Sequence, residues 1–341
     1  MSASKIFILV ILFSLYNCSH VYSTAIEEEV IFSNGQTKLY GTLFKPQETG
    51  IFPAIVVAHG SGREHRKLPG VRSVAQMYAD AGFVTLLFDK RGVGDSDGEY
   101  VETPNFFVAA GDIIAAIHFI KSRNDVDASR IGLYGHSQAG WTMPLAAVAC
   151  EDVSFMIVSC GGGVSPQQQG IYHHYTSKQR ERKDSEEEVH ELAFYLTSLH
   201  TYLATKRDYD RMLELYEVSK DKAWFGLLEN SFEKKPPPPP SQLNHPGWLF
   251  FKKIMHDPEL TLVSLRIPVL VLLAEKDQNV PSTLAKKIWQ ESFEKSGMQE
   301  KLTVVWLPNE THALFERKNG IPQMREAFSS PIKEWLRDWI Q

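Results

Sequence analysis

Arg130-Ile-Gly-Leu-Tyr-Gly-His-Ser-Gln-Ala-Gly-Trp141 is the stretch of the chain that decides the fold. Its first half is rich in apolar and aromatic residues that favour a strand, and the residues from Trp141 onward are small and apolar, as in a buried helix. Ser137 lies between the two halves, with Gly135 and Ala139 two positions to either side. Small residues are needed there if a strand turns sharply into a helix, because the backbones on the two sides of such a corner nearly touch. The stretch therefore predicts a tight strand–turn–helix corner with a serine at its apex.

Such a corner lifts the serine hydroxyl above the sheet and directs the backbone amide of Gln138, at the start of the helix, toward the same point. This combination places a nucleophile next to a donor for a developing negative charge. An ordinary turn with a solvated serine is the alternative from this stretch alone, since Ala139 stands where glycine is commoner. The other parts of the chain distinguish these two interpretations.

Composition and charge exclude some classes of protein. With 341 residues, of which 43% are hydrophobic, the chain is long enough for one large domain or two ordinary ones with a sizeable core. The formal net charge is -5 and the isoelectric point is near 6.2. Lysines and arginines are scattered rather than gathered into a stripe, so nucleic-acid binding is not expected. The sequence does not indicate the oligomeric state.

The first 25 residues differ from this average composition. Lys5 precedes an apolar run of 11 residues, 6–16, and small residues follow in Ser23-Thr-Ala25. This order is typical of a secretory signal peptide, and the run is shorter than the roughly 20 residues that span a membrane. We therefore expect residues 1–25 to be removed on export, the mature protein to be secreted or periplasmic, and no stable membrane span to remain. An uncleaved interfacial anchor is the alternative.

Cys150 and Cys160 are the cysteines of the expected mature chain. They are expected at the two ends of one strand of about six residues, roughly 20 Å apart. This separation is too large for a disulfide bond, so the two thiols are not expected to be linked.

Apolar runs alternate with helical patterns along much of the chain. A hairpin signal comes first, with strand-like segments 28–33 and 37–44 on either side of Asn34-Gly35. Runs typical of strands buried on both faces follow at 53–58, 83–88, 154–160, 267–274 and 301–307. The alternation predicts an α/β fold, with a mostly parallel central sheet, helices on both faces and strand ends along one rim. A last helix is expected from Pro331 to Ile340, with Pro331 in its first position.

The segment 164–263 has a different character from the residues around it. It contains amphipathic helical patterns and five consecutive prolines, 236–240. Residues 26–163 and 264–341 are therefore expected to form the α/β core, interrupted by this helical insert. We expect the insert to lie over the rim of the sheet as a cap, and a surface decoration remote from the rim is the alternative.

Two further strand ends carry residues of catalytic type. Asp277 follows the run 267–274 and His312 follows the run 301–307, so Ser137, Asp277 and His312 are separated by 140 and 35 residues. A serine hydroxyl is a poor nucleophile at neutral pH, and a histidine can take its proton as general base and later return it to the leaving group. An aspartate can orient the imidazole and stabilise its charged form. The three residues therefore predict a catalytic triad.

These motifs together resemble the α/β-hydrolase superfamily. The resemblance rests on His59-Gly-Ser-Gly62, the loop from Asp89 to Gly98, Gly135-His-Ser-Gln-Ala-Gly140, Asp277 with Val280-Pro281, and His312. The chain is most similar to bacterial serine esterases related to the dienelactone-hydrolase and prolyl-oligopeptidase-like groups. The resemblance covers about residues 28–341 apart from the insert, and it implies the α/β-hydrolase fold and hydrolysis through an acyl-serine.

An oxyanion formed at Ser137 needs backbone donors, and we expect the amides of Ser61 and Gln138 to provide them. The expected activity is that of an exported serine hydrolase that cleaves carboxylic esters of small molecules. A serine peptidase or an acyl thioesterase would use the same residues, and a non-catalytic relative would use the rim for binding only. No cofactor or metal is expected, since His173 and His174 in the insert have no partner at the spacing of a metal site.

Other polar residues on the rim have two interpretations. Asp89, Arg91 and Asp95 could contact a substrate, or they could hold their glycine-rich loop together. In the second case Arg91 would pair with Asp112. A charged loop next to a site more often has the second role. His59 and His136 are likewise expected to brace the loop and to pack, rather than to act as bases.

Overall fold

An eight-stranded sheet runs through the middle of the protein, which a computed structural model describes over residues 25–100, 106–182, 186–228, 230–248, 251 and 256–340. Its strands are β1 (Ile26–Asn34), β2 (Thr37–Lys45), β3 (Phe52–Ala58), β4 (Val84–Phe88), β5 (Val126–His136), β6 (Phe155–Ser159), β7 (Val269–Ala274) and β8 (Leu302–Leu307). They lie side by side in the order β1-β2-β4-β3-β5-β6-β7-β8. Residues 1–24 of the expected signal peptide lie outside the described residues.

Most of this sheet is parallel, as the sequence predicts. The neighbouring pairs from β4 to β8 are all parallel, whereas β2 is antiparallel to both β1 and β4. The turn between β1 and β2 is Gly35-Gln36, one residue later than expected, because Asn34 still pairs with Thr37. Since parallel strands end at the same edge, the loops after β3, β4, β5, β7 and β8 lie along one rim.

Helices cover both faces of the sheet. The α-helices include α1 (Pro69–Asp80), α2 (Phe106–Lys121), α3 (Ala139–Ala149), α4 (Pro166–Arg182), α5 (Glu186–Thr205), α6 (Tyr209–Ser219), α7 (Glu259–Leu262), α8 (Ser282–Lys295), α9 (Glu326–Trp335) and α10 (Arg337–Ile340). Short 3-10 helices lie at Ala223–Leu227, Pro240–Asn244, Pro246–Trp248 and Gln299–Lys301. On one face, α2, α3 and α8 bury Ile113, Met143 and Trp289 in a single apolar cluster. On the other face, α1 and α9 bury Tyr78 and Phe328 in a second cluster. The expected α/β architecture is confirmed.

Between β6 and β7, the described residues of the segment 164–263 contain the helices α4 to α7 and no strand. It buries an apolar cluster of its own, in which Leu199, Tyr202, Met212 and Trp224 take part. The insert therefore has a small core separate from the two clusters that flank the sheet. Although α5 has 20 residues, no helix in the described part of the chain is long and apolar enough to cross a membrane.

The C-terminal helix begins earlier than the sequence predicts. α9 starts at Glu326, so Pro331 lies inside the helix rather than at its first position, and the short helix α10 follows. Phe328 and Ile332 are one helical turn apart and both are fully buried. The turn before the proline therefore gains apolar burial by being helical, and this gain outweighs the hydrogen bond that the proline cannot make. The prediction of one helix over 331–340 is wrong for this reason.

A second, two-stranded sheet consists of β9 (Phe315–Lys318) and β10 (Ile321–Met324), which are antiparallel. The apolar pattern did not predict these strands, because each has four residues and three of the four residues of β9 are charged. Asn319-Gly320 between them is the local signal that could have indicated the turn.

Candidate active site

The backbone turns sharply at Ser137, between β5 and α3. Ser137 has a φ of 56°, in the left-handed region that residues with a side chain seldom adopt, and its amide donates to the carbonyl of Ser159 at 2.9 Å. A Cβ on Gly135 would lie 2.3 Å from the Cβ of Ala139. Larger residues at these two positions would therefore separate the strand from the helix. The structure has the tight corner that the sequence predicts.

Glycines after the neighbouring strand β6 hold this corner from the other side. A Cβ on Gly161 would lie 2.2 Å from the carbonyl oxygen of Ser137. A Cβ on Gly140, in the first turn of α3, would lie 2.2 Å from the backbone nitrogen of Gly162. Backbone atoms cannot move aside as the end of a flexible side chain can, so a side chain at either position would displace the corner itself.

Ser137, His312 and Asp277 form a continuous chain of hydrogen bonds. The Oγ of Ser137 lies 3.0 Å from Nε2 of His312, and Nδ1 of His312 lies 2.8 Å from Oδ2 of Asp277. Ser137 is 7% exposed and Asp277 is 2% exposed, so little water competes for these bonds. With Nδ1 donating to the carboxylate, Nε2 can accept the serine proton. The structure brings together the three predicted residues, although 175 positions separate Ser137 from His312.

The loop after β7 fixes the carboxylate of Asp277. Its Oδ1 accepts the amides of Asn279 and Val280, each at 2.8 Å. An aspartate side chain commonly accepts hydrogen bonds from backbone amides two or three residues further on. Here these bonds hold Oδ1, so that Oδ2 faces His312.

The two expected oxyanion donors lie on loops at the same rim. Gln138 directly precedes α3, so its amide lies at the N-terminal end of that helix, and Ser61 is exposed in the loop after β3. The ammonium of Lys90 donates to the carbonyl of Gly60 and, at 2.9 Å, to that of Gly62. Because the C=O and N–H of a trans peptide point in opposite directions, the bond to Gly60 holds the amide of Ser61 facing away from Lys90. The role of the two amides stays a prediction.

Lys90 is a residue of the site that the sequence analysis did not find. Its Nζ lies 3.4 Å from Oε1 of Gln138, in addition to its bonds to the loop after β3. One ammonium thus connects the two segments that carry the expected oxyanion donors. Its position directly after Asp89, at the end of a buried strand, is the sequence signal that could have indicated it.

His59 braces the loop after β3, which agrees with the role expected for it. Its Nε2 hydrogen-bonds to the carbonyl of Phe88, and its Nδ1 lies 3.5 Å from the carboxylate of Glu64. That carboxylate also accepts the amide of Gly60 at 2.8 Å. Burial acts to raise the pKa of Glu64, but His59, the Lys90 ammonium and the Gly60 amide together outweigh it, and the pKa is lowered. Glu64 is therefore a carboxylate at neutral pH.

Two titratable groups beside His312 are uncharged at neutral pH. The ring of His136 lies 4.6 Å from that of His312, centroid to centroid, and its Nε2 hydrogen-bonds to the His312 carbonyl at 3.1 Å. Burial, together with the proximity of His312, lowers the pKa of His136 to about 4. Burial and the Asp277 carboxylate raise the pKa of Cys160, which is a free thiol, as is Cys150. Neither group therefore competes with His312 for the serine proton.

Two groups of side chains in the described residues bring three potential metal ligands within 4.8 Å of one another: His136, Cys160 and His312, and His118, Cys150 and Asp152. In the first group, both ring nitrogens of His312 are engaged by Ser137 and Asp277. In the second group, Asp152 pairs with Lys121 at 2.6 Å. Since these partners engage the ligand atoms, we do not propose a metal site at either place.

Ion pairs to neighbouring segments, together with hydrogen bonds within the loop, hold the charged loop after β4. Arg91 binds Asp112 through two nitrogens, at 2.5 and 3.1 Å, which is the pairing that the sequence predicts. Asp89 is fully buried, and it accepts the guanidinium of Arg66 and, at 2.9 Å, the amide of Asp95. Asp89 and Arg91 therefore hold the loop in place, which is the second of the two roles considered for them.

The fold and this site define a class of protein. A mostly parallel sheet with a serine at a strand–helix corner, an aspartate after β7 and a histidine after β8 is the arrangement of an α/β-hydrolase. The family model described as X-Pro dipeptidyl-peptidase (S15 family) matches residues 34–312. The chain belongs to this family, and its resemblance to the α/β-hydrolases is confirmed.

Individual proteins that are similar to this chain have low sequence identity to it. The quorum-quenching protein AidA of Acinetobacter baumannii is 27% identical over 132 residues, which cover 39% of this chain and 43% of that relative, less than half of its length. The esterase Pf2001 of Pyrococcus furiosus has a TM-score of 0.55 at 14% identity, with 93% of this chain and 94% of that chain covered. A dienelactone hydrolase from Anabaena variabilis has a TM-score of 0.53 at 17% identity, with 93% and 100% covered. The two solved structures share the fold.

Gly161→Ala is expected to reduce kcat/KM toward an ester by tenfold or more and to lower the urea midpoint of unfolding. The added Cβ, 2.2 Å from the Ser137 carbonyl oxygen, must displace the backbone of the nucleophile, and a shift of about 1 Å in catalytic geometry can cost roughly 100-fold in rate. Gly170→Ala is the control, because nothing lies within 4 Å of a Cβ there. Equal activity in the two variants would show that the contact does not position Ser137.

Proposed function

We propose that the protein is a serine hydrolase that cleaves carboxylic esters through an acyl-Ser137 intermediate. The observation that carries this proposal is the chain of hydrogen bonds from Ser137 to His312 at 3.0 Å and from His312 to buried Asp277 at 2.8 Å. A hydroxyl that donates to an imidazole, whose other nitrogen is held by a carboxylate, is activated as a nucleophile.

In the first half of the reaction, the Oγ of Ser137 attacks the carbonyl carbon of the ester while its proton passes to Nε2 of His312. Asp277 stabilises the imidazolium that forms, and the amides of Gln138 and Ser61 would bind the oxyanion. One such donor typically lowers the barrier by about 3 kcal/mol. When the tetrahedral intermediate collapses, the alcohol leaves with the proton from Nε2. Water then repeats these steps, so that the acid is released and the hydroxyl of Ser137 is regenerated.

The similar solved structures and the family model favour different leaving groups. One solved structure of the same fold is an esterase and another is a dienelactone hydrolase, which supports an ester substrate. The family model carries the description of a dipeptidyl-peptidase, which supports cleavage of a peptide after an X-Pro pair as the second candidate. The same three residues would serve either reaction, because the acyl-serine step is common to both.

A fluorophosphonate is expected to label the wild-type protein at Ser137, as identified by mass spectrometry of the labelled peptide. Ser137→Ala should lower kcat by about 10⁴-fold or more, with little change in the free energy of unfolding. Ser154→Ala is the matched control, because that hydroxyl binds the carbonyl of Ser129 at the opposite end of the neighbouring strand. No label on the folded wild-type protein would contradict the proposal and favour a non-catalytic binding protein.

The same preparation distinguishes the two leaving groups. For an esterase, kcat/KM for p-nitrophenyl butyrate should exceed that for glycyl-prolyl p-nitroanilide by at least 100-fold, and both rates should vanish in Ser137→Ala. The reverse order would replace the ester proposal by the peptidase. A butyryl thioester measured alongside tests the thioesterase alternative.

We also propose that the insert 164–263 acts as a cap on the site. In support, the hydroxyl of Tyr172 on α4 donates to the carbonyl of Asp277 at 2.9 Å, and the ring of His173 contacts the carbonyl of Gln278 at 3.3 Å. The first helix of the insert thus rests on the loop that carries the aspartate. The insert therefore lies near Asp277, on the side of the site from which His312 would give its proton to the leaving group.

Tyr172→Phe is expected to raise KM by about two- to tenfold for esters of bulky alcohols, with a smaller effect on methyl esters. The variant removes one hydrogen bond worth roughly 0.5–1.5 kcal/mol between the insert and the core. Tyr209→Phe, within the insert on α6, is the control. It should leave KM unchanged both for esters of bulky alcohols and for methyl esters. Parallel changes for bulky and small alcohols would argue against the cap.

Export is a further part of the proposal. It is supported by the apolar run 6–16 between Lys5 and the small residues that end at Ala25. Fractionation of the native host should recover a shortened protein outside the cytoplasm, with an N-terminus near residue 26 by Edman sequencing. A full-length protein in the cytoplasmic fraction would contradict export.

A further inference from the structure

A cavity of about 330 Å³ lies beside the corner that carries Ser137. At one end it is lined by Gln138, the residue after the proposed nucleophile, and by His59. Its apolar wall comes from the end of β4 and from α2, through Phe88, Phe106, Val108, Ala109 and Ile113. The volume is in the range of pockets that bind small molecules, about 300–1,000 Å³.

This cavity and the proposed general base lie on opposite sides of β5. In the sheet, β3 and β4 lie on one side of β5, and β6, β7 and β8 lie on the other. In the cavity wall, His59 follows β3 and Phe88 ends β4. Asp277 and His312, by contrast, follow β7 and β8. Nε2 of His312 must give its proton to the leaving group, so the leaving group faces β7 and β8. The acyl group then extends toward β3 and β4, where the cavity lies.

We infer that this cavity binds the acyl part of the substrate and selects an uncharged, apolar acyl chain of medium length. The inference rests on the proposed function of Ser137, and it names the substrate class of that site. A volume of about 330 Å³ holds roughly ten groups of water or methylene size, at about 30 Å³ each. An octanoyl chain is close to that size, whereas an acetyl group leaves most of the cavity unfilled and a hexadecanoyl chain exceeds it.

The polar residues of the cavity wall favour an uncharged chain. Arg91 and Asp112 both line the cavity, and they are paired with each other at 2.5 Å. The ammonium of Lys90 donates to backbone carbonyls, including that of Gly62 at 2.9 Å. Glu99, also in the wall, is exposed and has a carboxylate that would repel an acyl group ending in a carboxylate. Among the described residues, the wall therefore presents no cation that is reserved for an anionic chain.

A series of p-nitrophenyl esters measures the selectivity of the cavity. For the wild-type protein, kcat/KM should rise at least tenfold from the acetyl to the octanoyl ester and fall again for the hexadecanoyl ester. Ala109→Trp fills part of the cavity, so kcat/KM for the octanoyl ester should fall at least tenfold while that for the acetyl ester changes less than threefold. Ala115→Trp is the matched control, since Ala115 is half-buried on the same helix and lines a different groove.

The chain-length selectivity of the variants decides whether the cavity binds the acyl group. Retention of the wild-type chain-length profile by a folded Ala109→Trp protein would overturn the assignment of the cavity. If Ala109→Trp fails to fold, Ile113→Ala provides the opposite change, and by widening the cavity it should shift the optimum toward the dodecanoyl ester by at least threefold. An unchanged optimum in Ile113→Ala would likewise overturn the assignment.

Binding of octanamide separates the cavity from the chemistry at Ser137, because this uncharged amide needs no turnover to bind. Calorimetry should detect its binding to Ser137→Ala protein, at least tenfold weaker binding after Ala109→Trp is added, and at least tenfold weaker binding of suberate monoamide, which ends in a carboxylate. Binding without any ester turnover by the wild-type protein would refute the proposed function and keep the apolar cavity. Turnover without selective octanamide binding would refute the cavity alone.

Discussion

Backbone contact at the corner after β5 is the constraint on which the other parts of the structure depend. Ser137 is held at a positive φ, a conformation that costs of order 1 kcal/mol or more for a residue with a Cβ. Close packing of the surrounding chain holds the backbone in this conformation. Gly135 packs on Ala139, and Gly161 packs on the Ser137 carbonyl. Because Gly161 lies just after β6, this contact depends on β5 and β6 lying side by side in the sheet.

The loops after β3 and β4 are joined by a second set of contacts. Lys90 binds the carbonyls of Gly60 and Gly62, and Arg66 binds buried Asp89. Each bond connects one loop to the other, so neither loop can move without disturbing its neighbour. A rigid position for the Ser61 peptide is what an oxyanion donor requires, since the donor must be oriented before charge develops.

Residues on the two sides of β5 would have different roles in the proposed reaction. Asp277 and His312 lie on one side, where the insert touches the aspartate loop through Tyr172, and the apolar cavity lies on the other side. Acyl and leaving group would then be selected by different parts of the chain. Such a separation would allow the insert to vary in sequence without altering the wall that receives the acyl group.

The sequence by itself determined the parallel core and the three residues of the hydrogen-bonded chain. Local sterics demand small residues around Ser137, strands buried on two faces appear as continuous apolar runs, and the ends of parallel strands must share one rim. The tertiary structure alone decided the role of Lys90, the early start of α9 at Glu326 and the place of the cavity. Each of these depends on packing between segments far apart in sequence, which residue type and spacing alone do not specify.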